Sequence, residues 1–325
     1  MGNLSDRFRE RLRSGQPLLL DAAMGTELQR RDADTTLPLW SARALLTDPE
    51  LVWTIHSDEA ASGAEILTAN TFRTHARTLA KAQVGERAAE LSALAIRLAH
   101  QAASQRDASL RDTSLRDTSL RGGEIFVAGS LSPLEDCYRP DLAPDTGSME
   151  REHASQARFL ADAGVDLILA ETHNSIREAR AAAEAAKATG LPFVVSLVTD
   201  GKGRLLSGEP IADAASTLAA LSPDALGINC VPAASLSVDL AVLAASTSGS
   251  GIPLAAYGNL GLPAEGPGWA FTDALEPDAY AEAARGWIER GARIVGGCCG
   301  TTPAHTRALA RLIAGLSLEK AAPGG

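Results

Sequence analysis

The run Ile294-Val295-Gly296-Gly297-Cys298-Cys299-Gly300 sets two thiols side by side where an apolar stretch meets glycine. A third thiol, Cys230, closes the similar run Ala225-Leu226-Gly227-Ile228-Asn229-Cys230, so three of the chain's four cysteines end apolar segments. Thiolates are soft ligands that select zinc and hold it tetrahedrally, with Zn–S bonds of about 2.3 Å. Structural zinc normally has four protein ligands, often in paired Cys-x2–4-Cys hooks. Three ligands without a hook leave one position open, as catalytic zinc does. Adjacent cysteines on a regular strand point to opposite faces, so both reach one ion only where the strand stops. Gly297 and Gly300 make a turn there cheap. Spacing alone does not separate this from packing, because free cysteine is among the most buried residue types. A disulfide between the neighbours is disfavoured, since their Cα atoms, about 3.8 Å apart, lie closer than disulfides usually allow. The fourth cysteine, Cys137, sits in the loop Pro133-Leu134-Glu135-Asp136-Cys137-Tyr138 and reads as incidental.

The elements that must position these thiols are visible as eight short apolar runs, at 18–25, 66–71, 125–130, 166–172, 192–197, 225–230, 253–259 and 294–299. Stretches of helical periodicity lie between most of them, at 151–163, 175–189, 211–221, 278–290 and 303–316, the last opening on Pro303. Wholly apolar strands alternating with helices indicate a parallel sheet covered on both faces. Eight such units favour a single α/β domain, a (β/α)8 TIM barrel over residues 1–325, with a doubly wound open sheet as the alternative. In a barrel the C-terminal strand ends form one mouth. That mouth would be ringed by Asp21, Asn70, Ser130, Glu171, Cys230, Asn259 and the Cys298/Cys299 pair. Taken alone, Asp21 could equally cap a helix and Glu171 could join a surface ion pair. His173 reads as an exposed loop histidine, and His56, His75, His100, His153 and His305 show no metal spacing. Residues 106–121 carry an imperfect five-residue repeat, RDASL RDTSL RDTSL. A period of five lines up on neither a helix nor a strand, so the segment reads as a low-complexity surface insertion.

Composition narrows the partners. The apolar fraction of 45% is ample for a core, and aromatics at 4% leave that core aliphatic. A net charge of −10 without a basic block argues against nucleic acid and anionic membranes. No secretory signal or apolar run of membrane-spanning length is visible, and four unevenly spaced cysteines do not make a disulfide framework. A cytoplasmic protein is expected.

Six pieces spread over nearly the whole chain then carry a resemblance. They are Leu20-Asp21-Ala22-Ala23-Met24-Gly25-Thr26, Leu67-Thr68-Ala69-Asn70-Thr71-Phe72, Ala170-Glu171-Thr172, Gly227-Ile228-Asn229-Cys230, Asn259-Leu260-Gly261-Leu262-Pro263 and Gly296-Gly297-Cys298-Cys299-Gly300-Thr301-Thr302-Pro303. With them the chain resembles the homocysteine S-methyltransferase family, whose members include S-methylmethionine- and betaine-dependent enzymes and the homocysteine module of cobalamin-dependent methionine synthase. The resemblance implies a (β/α)8 barrel and Zn2+ held by Cys230, Cys298 and Cys299. It assigns the amino-acid end of homocysteine to Asp21, Ala22, Ala23, Asn70 and Glu171. In related enzymes an oxygen ligand can fill the fourth zinc place before substrate arrives, and Asn259 is the candidate here. Ala22 departs from the pattern, standing where relatives have glycine; a positive φ there would be costly.

The implied reaction moves a methyl group from a small donor, such as the sulfoniums S-methylmethionine or S-adenosylmethionine, to the homocysteine thiol, giving methionine. Two alternatives stay open: a homocysteine-binding module served by a separate corrinoid methyl-donor partner, and a methyltransferase acting on another thiol or a selenol. The chain lacks an Asp-x-His-x-x-Gly cobalamin signature, which disfavours a self-contained cobalamin enzyme.

Overall fold

Eight parallel strands close on themselves in a computed structural model that describes residues 4–111, 123–263, 269–270 and 275–321. The strands are β1 (Leu18–Leu19), β2 (Ile66–Ala69), β3 (Phe126–Leu131), β4 (Leu167–His173), β5 (Phe193–Leu197), β6 (Ala225–Pro232), β7 (Leu254–Asn259) and β8 (Ala292–Gly297). Each pairs with its sequence neighbours, β8 returns to β1, and the bridge Leu20↔Ile66 joins β1 to β2. The result is the expected (β/α)8 barrel. A short antiparallel ribbon, Leu262–Pro263 with Trp269–Ala270, lies outside it.

Ten helices carry the argument: α1 (Leu4–Arg13), α2 (Met24–Arg30), α3 (Pro49–Ala61), α4 (Ala88–Arg111), α5 (Thr146–Asp162), α6 (Ile176–Ala188), α7 (Ile211–Ala219), α8 (Ala233–Ser246), α9 (Pro277–Glu289) and α10 (Pro303–Ala321). Their starts follow local chemistry. Asp48, Asp145 and Ser175 accept hydrogen bonds from the first-turn N–H groups of α3, α5 and α6, and α3 and α9 open on proline. No described helix is long and apolar enough to cross a membrane.

Strand alternation separates two cores. Leu18, Leu20, Ile66, Phe126, Ala128, Leu167, Leu169, Val194, Ala225, Ala255 and Ile294 fill the barrel interior together with Phe8 and Leu12 of α1. The intervening residues, such as Val127, Ile168, Val195, Leu226, Ala256 and Val295, pack outward against the alanine- and leucine-rich helix faces. Phe8 is fully buried and meets Phe126 edge-on at 5.5 Å, so α1 plugs the barrel. Burying such a ring contributes roughly 1.5–3 kcal/mol.

Two boundaries differ from the sequence-based expectation. The run at 18–25 is strand only to its bridge at Leu20, because Asp21 turns the chain and α2 begins at Met24. Helix α4 continues to Arg111, past the expected end near His100, with Arg106 donating to the Ala64 carbonyl at 3.0 Å. Alanine, serine, glutamine and arginine there sustain a helix, so 106–111 are not loop. The rest of the repeat, 112–121, lies outside the described residues.

Candidate metal and substrate site

Strand β8 ends at Gly297, one residue before the cysteine pair, and the chain then folds back tightly. A Cβ on Gly297 would lie 2.2 Å from Thr301 Oγ1, and one on Gly300, whose φ is +87°, would lie 1.9 Å from the Leu260 carbonyl oxygen. Neither position accepts a side chain, so glycine is what lets Cys298 and Cys299 leave the strand together. The turn is gripped from three sides. Cys298 N–H donates to Gly258 O at 2.8 Å, Leu260 N–H donates to Cys299 O at 2.7 Å, and Thr301 Oγ donates to Cys298 O at 2.7 Å. From α2, one helical turn apart, Thr26 Oγ1 accepts the Gly300 N–H at 3.0 Å and Arg30 donates to Gly300 O at 2.6 Å.

Cys230 reaches the same point by a different device. It takes a left-handed backbone, φ +55°, and the β6–β7 register breaks between Asn229 and Pro232. Strand β4 does the same at Thr172, φ +63°, with a break between Ala170 and His173. For a β-branched threonine this conformation is strained, and surrounding structure must hold it. Asn229 does so: its Oδ1 accepts the Thr172 N–H at 3.0 Å and its Nδ2 donates to Thr172 Oγ1 at 2.8 Å. One buried amide therefore locks the kinks that aim Glu171 and Cys230.

The three sulfurs lie within 4.8 Å of one another, and Cys230 Sγ is 3.7 Å from Cys299 Sγ. Zn–S bonds of about 2.3 Å at tetrahedral angles require sulfurs about 3.8 Å apart, so this edge fits the ion. Charge agrees with geometry. Hydrogen bonds from Cys298 and Cys299 push Cys230 well below the usual thiol range, and that same pairing pushes the other two well above it. Unaided, the trio supports one thiolate; a cation is needed for three.

Around the trio opens a cavity of about 290 Å3, ringed by the strand ends. Asp21 and Glu171 lie in its floor, both buried. Asp21 caps no helix: its oxygens accept the Thr68 N–H and hydroxyl, each at 2.8 Å. Glu171 makes no ion pair and accepts the Ser130 hydroxyl at 2.5 Å. Burial, followed by the charge of Glu59, pushes the Asp21 carboxyl well above its ordinary value. Burial pushes Glu171 up to about 7 against the pull of Ser130. Both carboxyls thus lack the cation that would ionise them. Ala22 and Ala23 line the cavity, and Ala22 has no positive φ, so its side chain is unstrained. Asn70 also lines it, anchored by donation to Ser41 O at 2.9 Å, with Oδ1 unpartnered.

Other residues fall differently from their sequence-based reading. Asn259 ends β7 with a buried, unpartnered Oδ1 but does not line the cavity. Tyr138 does, its hydroxyl 3.2 Å from Cys230 Sγ. Cys137 is not incidental, being buried in the cavity wall. His173 is not exposed: it ends β4 fully buried, with Nε2 3.2 Å from Leu131 O, because the strand stays covered through its last residue. Glu59 of α3 was unforeseen. Its Oε2 accepts the Ala22 N–H at 3.3 Å and the Thr306 hydroxyl at 2.6 Å, fixing the Asp21 turn from beneath, and burial raises it to about 7. Its helix held a signal, since Val52, Ile55, His56 and Glu59 share one buried face and an acid on such a face needs partners.

Residues 18–313 match the family model described as Homocysteine S-methyltransferase. The chain belongs to this family. It is 32% identical over 304 residues to the homocysteine S-methyltransferase of Escherichia coli (strain K12), covering 90% of this chain and 94% of that one. Homocysteine S-methyltransferase YbgG of Bacillus subtilis (strain 168) is 30% identical over 296 residues, covering 90% and 93%. The crystal structure of the homocysteine methyltransferase MmuM from Escherichia coli, in its metallated form, superposes with a TM-score of 0.76 at 30% identity, covering 93% of this chain and 98% of that one. Family membership and barrel-mouth geometry therefore point to the same strand ends.

Proposed function

We propose that the protein is a zinc-dependent methyltransferase that moves a methyl group from a small sulfonium donor to the thiol of homocysteine, giving methionine. The observation that carries this is the convergence of Cys230, Cys298 and Cys299 on one point of a cavity floor that also holds two cation-starved carboxyls. The printed activities of the relatives and the metallated form of the structural neighbour support it.

The three cysteines would hold the ion. When bound, zinc would supply the positive charge that brings a thiol of pKa about 8.5 into its thiolate form at neutral pH. The chain's own residues do the rest. Asp21 and Glu171 take the substrate ammonium between them, each giving up its proton as the cation arrives. The Ala23 turn and the uncapped first amides of α2 face the cavity and suit the substrate carboxylate. With both ends fixed, the substrate sulfur is aimed at the donor. A new S–CH3 bond forms in line as the donor's S–CH3 bond breaks, and the donor leaves as a neutral thioether with the electron pair. No proton moves in that step, so positioning outweighs acid–base work. Asn259, or another oxygen such as Tyr138, fills the remaining ligand place before substrate.

The test is direct. Zinc-loaded protein, homocysteine and S-methylmethionine, S-adenosylmethionine or betaine in turn are assayed for methionine. Formation from a sulfonium supports the proposal. Absence of methionine with every donor refutes it.

A further inference from the structure

The cavity has a second charged pair that the homocysteine site does not use. Arg73 and Asp136, from the loops after β2 and β3, both line its outer wall. The Arg73 guanidinium stacks 5.8 Å from the Phe72 ring centre, and its buried Nε has no hydrogen-bond partner. Among the described residues Arg73 makes no ion pair. The neighbouring cations do: Arg77 forks onto Glu152 at 2.8 and 2.6 Å and reaches Glu135 at 3.4 Å, and Lys81 also takes Glu135. Those contacts occupy the nearest glutamate. Asp136 spends one oxygen on the Tyr138 N–H at 2.9 Å. An arginine set in a cavity wall without its carboxylate is an unfilled binding element, because its planar fork matches a carboxylate and cannot lose its proton.

The geometry points to Arg73 and Asp136 as the head-group site for the methyl donor, which is therefore itself an α-amino acid bearing a sulfonium. Arg73 takes the donor's carboxylate and Asp136 its ammonium. Trp40, Phe72 and Tyr138 line the same wall and offer aromatic faces to the cation, where each contact contributes favourably. The inference rests on the methyltransferase proposal above and adds the donor class to it. A donor without an amino-acid head leaves both charges unanswered, which is how the site discriminates.

The experiment compares S-methylmethionine with its α-carboxamide in wild type, Arg73→Gln and Arg73→Lys, with homocysteine saturating and zinc content checked. A charge-assisted contact of this kind corresponds to a discrimination on the order of 10–100-fold. Wild type is expected to prefer the carboxylate by that factor in kcat/KM. Arg73→Gln should lose the preference, Arg73→Lys should recover part of it, and the homocysteine KM should not move. Equal loss with both donors in Arg73→Gln, or a raised homocysteine KM, overturns the inference. The two failures are distinguishable. If wild type makes methionine from no donor, the methyltransferase proposal fails, and calorimetric binding of the same two compounds still reads the preference at Arg73.

Discussion

The floor and the outer wall of the cavity are built on opposite plans. Every chemically active floor residue sits at a strand end or in a turn gripped from several sides. Cys298 and Cys299 follow β8 under contacts from Gly258, Leu260 and α2. Glu171 and Cys230 flank kinks locked by Asn229. The wall comes from loops: Leu37 and Trp40 before α3, Phe72 and Arg73 after β2, Asp136 to Tyr138 after β3. Leu37 is half exposed, and Arg73 keeps an unpartnered nitrogen. Rigid elements hold the residues that must meet an ion to within a fraction of an ångström, and loops hold those that select a donor. The chemistry should therefore fail abruptly when the floor is altered and shift in preference when the wall is.

The largest effect should come from removing a floor thiol. Cys298→Ala should drop metal content from one ion per chain towards none and cut methyl transfer roughly 100-fold or more, beyond the 10–100-fold typical of outer-sphere partners. Far-UV circular dichroism should stay unchanged, since the thiol is not barrel core. Stoichiometric zinc in that variant would erase the distinction between floor and wall.

A second effect reads floor electrostatics without turnover. In the empty protein Glu171 titrates near 7 against an ordinary value of 4.5. Between those values the folded state holds a proton that the unfolded state has released. The stabilisation is thus complete below pH 4.5 and is lost as pH rises through 7, amounting to roughly 3 kcal/mol. Glu171→Gln should flatten that part of the pH–stability profile, measured by denaturant midpoints from pH 4.5 to 8. A profile parallel to wild type would show that Glu171 is ionised in the folded protein.

The smallest of the three concerns the lock. Asn229→Ala should weaken zinc affinity and raise the homocysteine KM together, each by about 10-fold and up to 100-fold. One amide fixes both kinks, so the two losses belong together. A change in one without the other would separate the strands that the structure couples. The wall residue Arg73 should do neither, affecting only the donor.

The same division explains what the sequence could reveal. Cysteine beside glycine at the end of an apolar run is a local signal, and so are Asp21 and Glu171 one step past their strands; the barrel follows from eight such runs. Glu59 was hidden because it reads as one more acid in Ser57-Asp58-Glu59, and only the approach of α3 beneath Ala22 gives it partners. His173 looked exposed because a polar Glu-Thr-His ending resembles a loop, whereas β4 remains covered to its last residue. Cys137, Tyr138 and Arg73 carry no periodicity, and their convergence depends on loop paths that no local pattern encodes. Asn259 shows the converse: its motif is legible, yet its side chain misses the cavity.

The central claim is that three cysteine sulfurs leave one place on a zinc ion for the sulfur of homocysteine. Zinc K-edge X-ray absorption on the purified, zinc-loaded protein tests it, before and after addition of homocysteine. The account predicts three sulfurs at about 2.3 Å with one oxygen or nitrogen, becoming four sulfurs when substrate is added. Fewer than three sulfurs at the start, or an unchanged spectrum with saturating homocysteine, would contradict it.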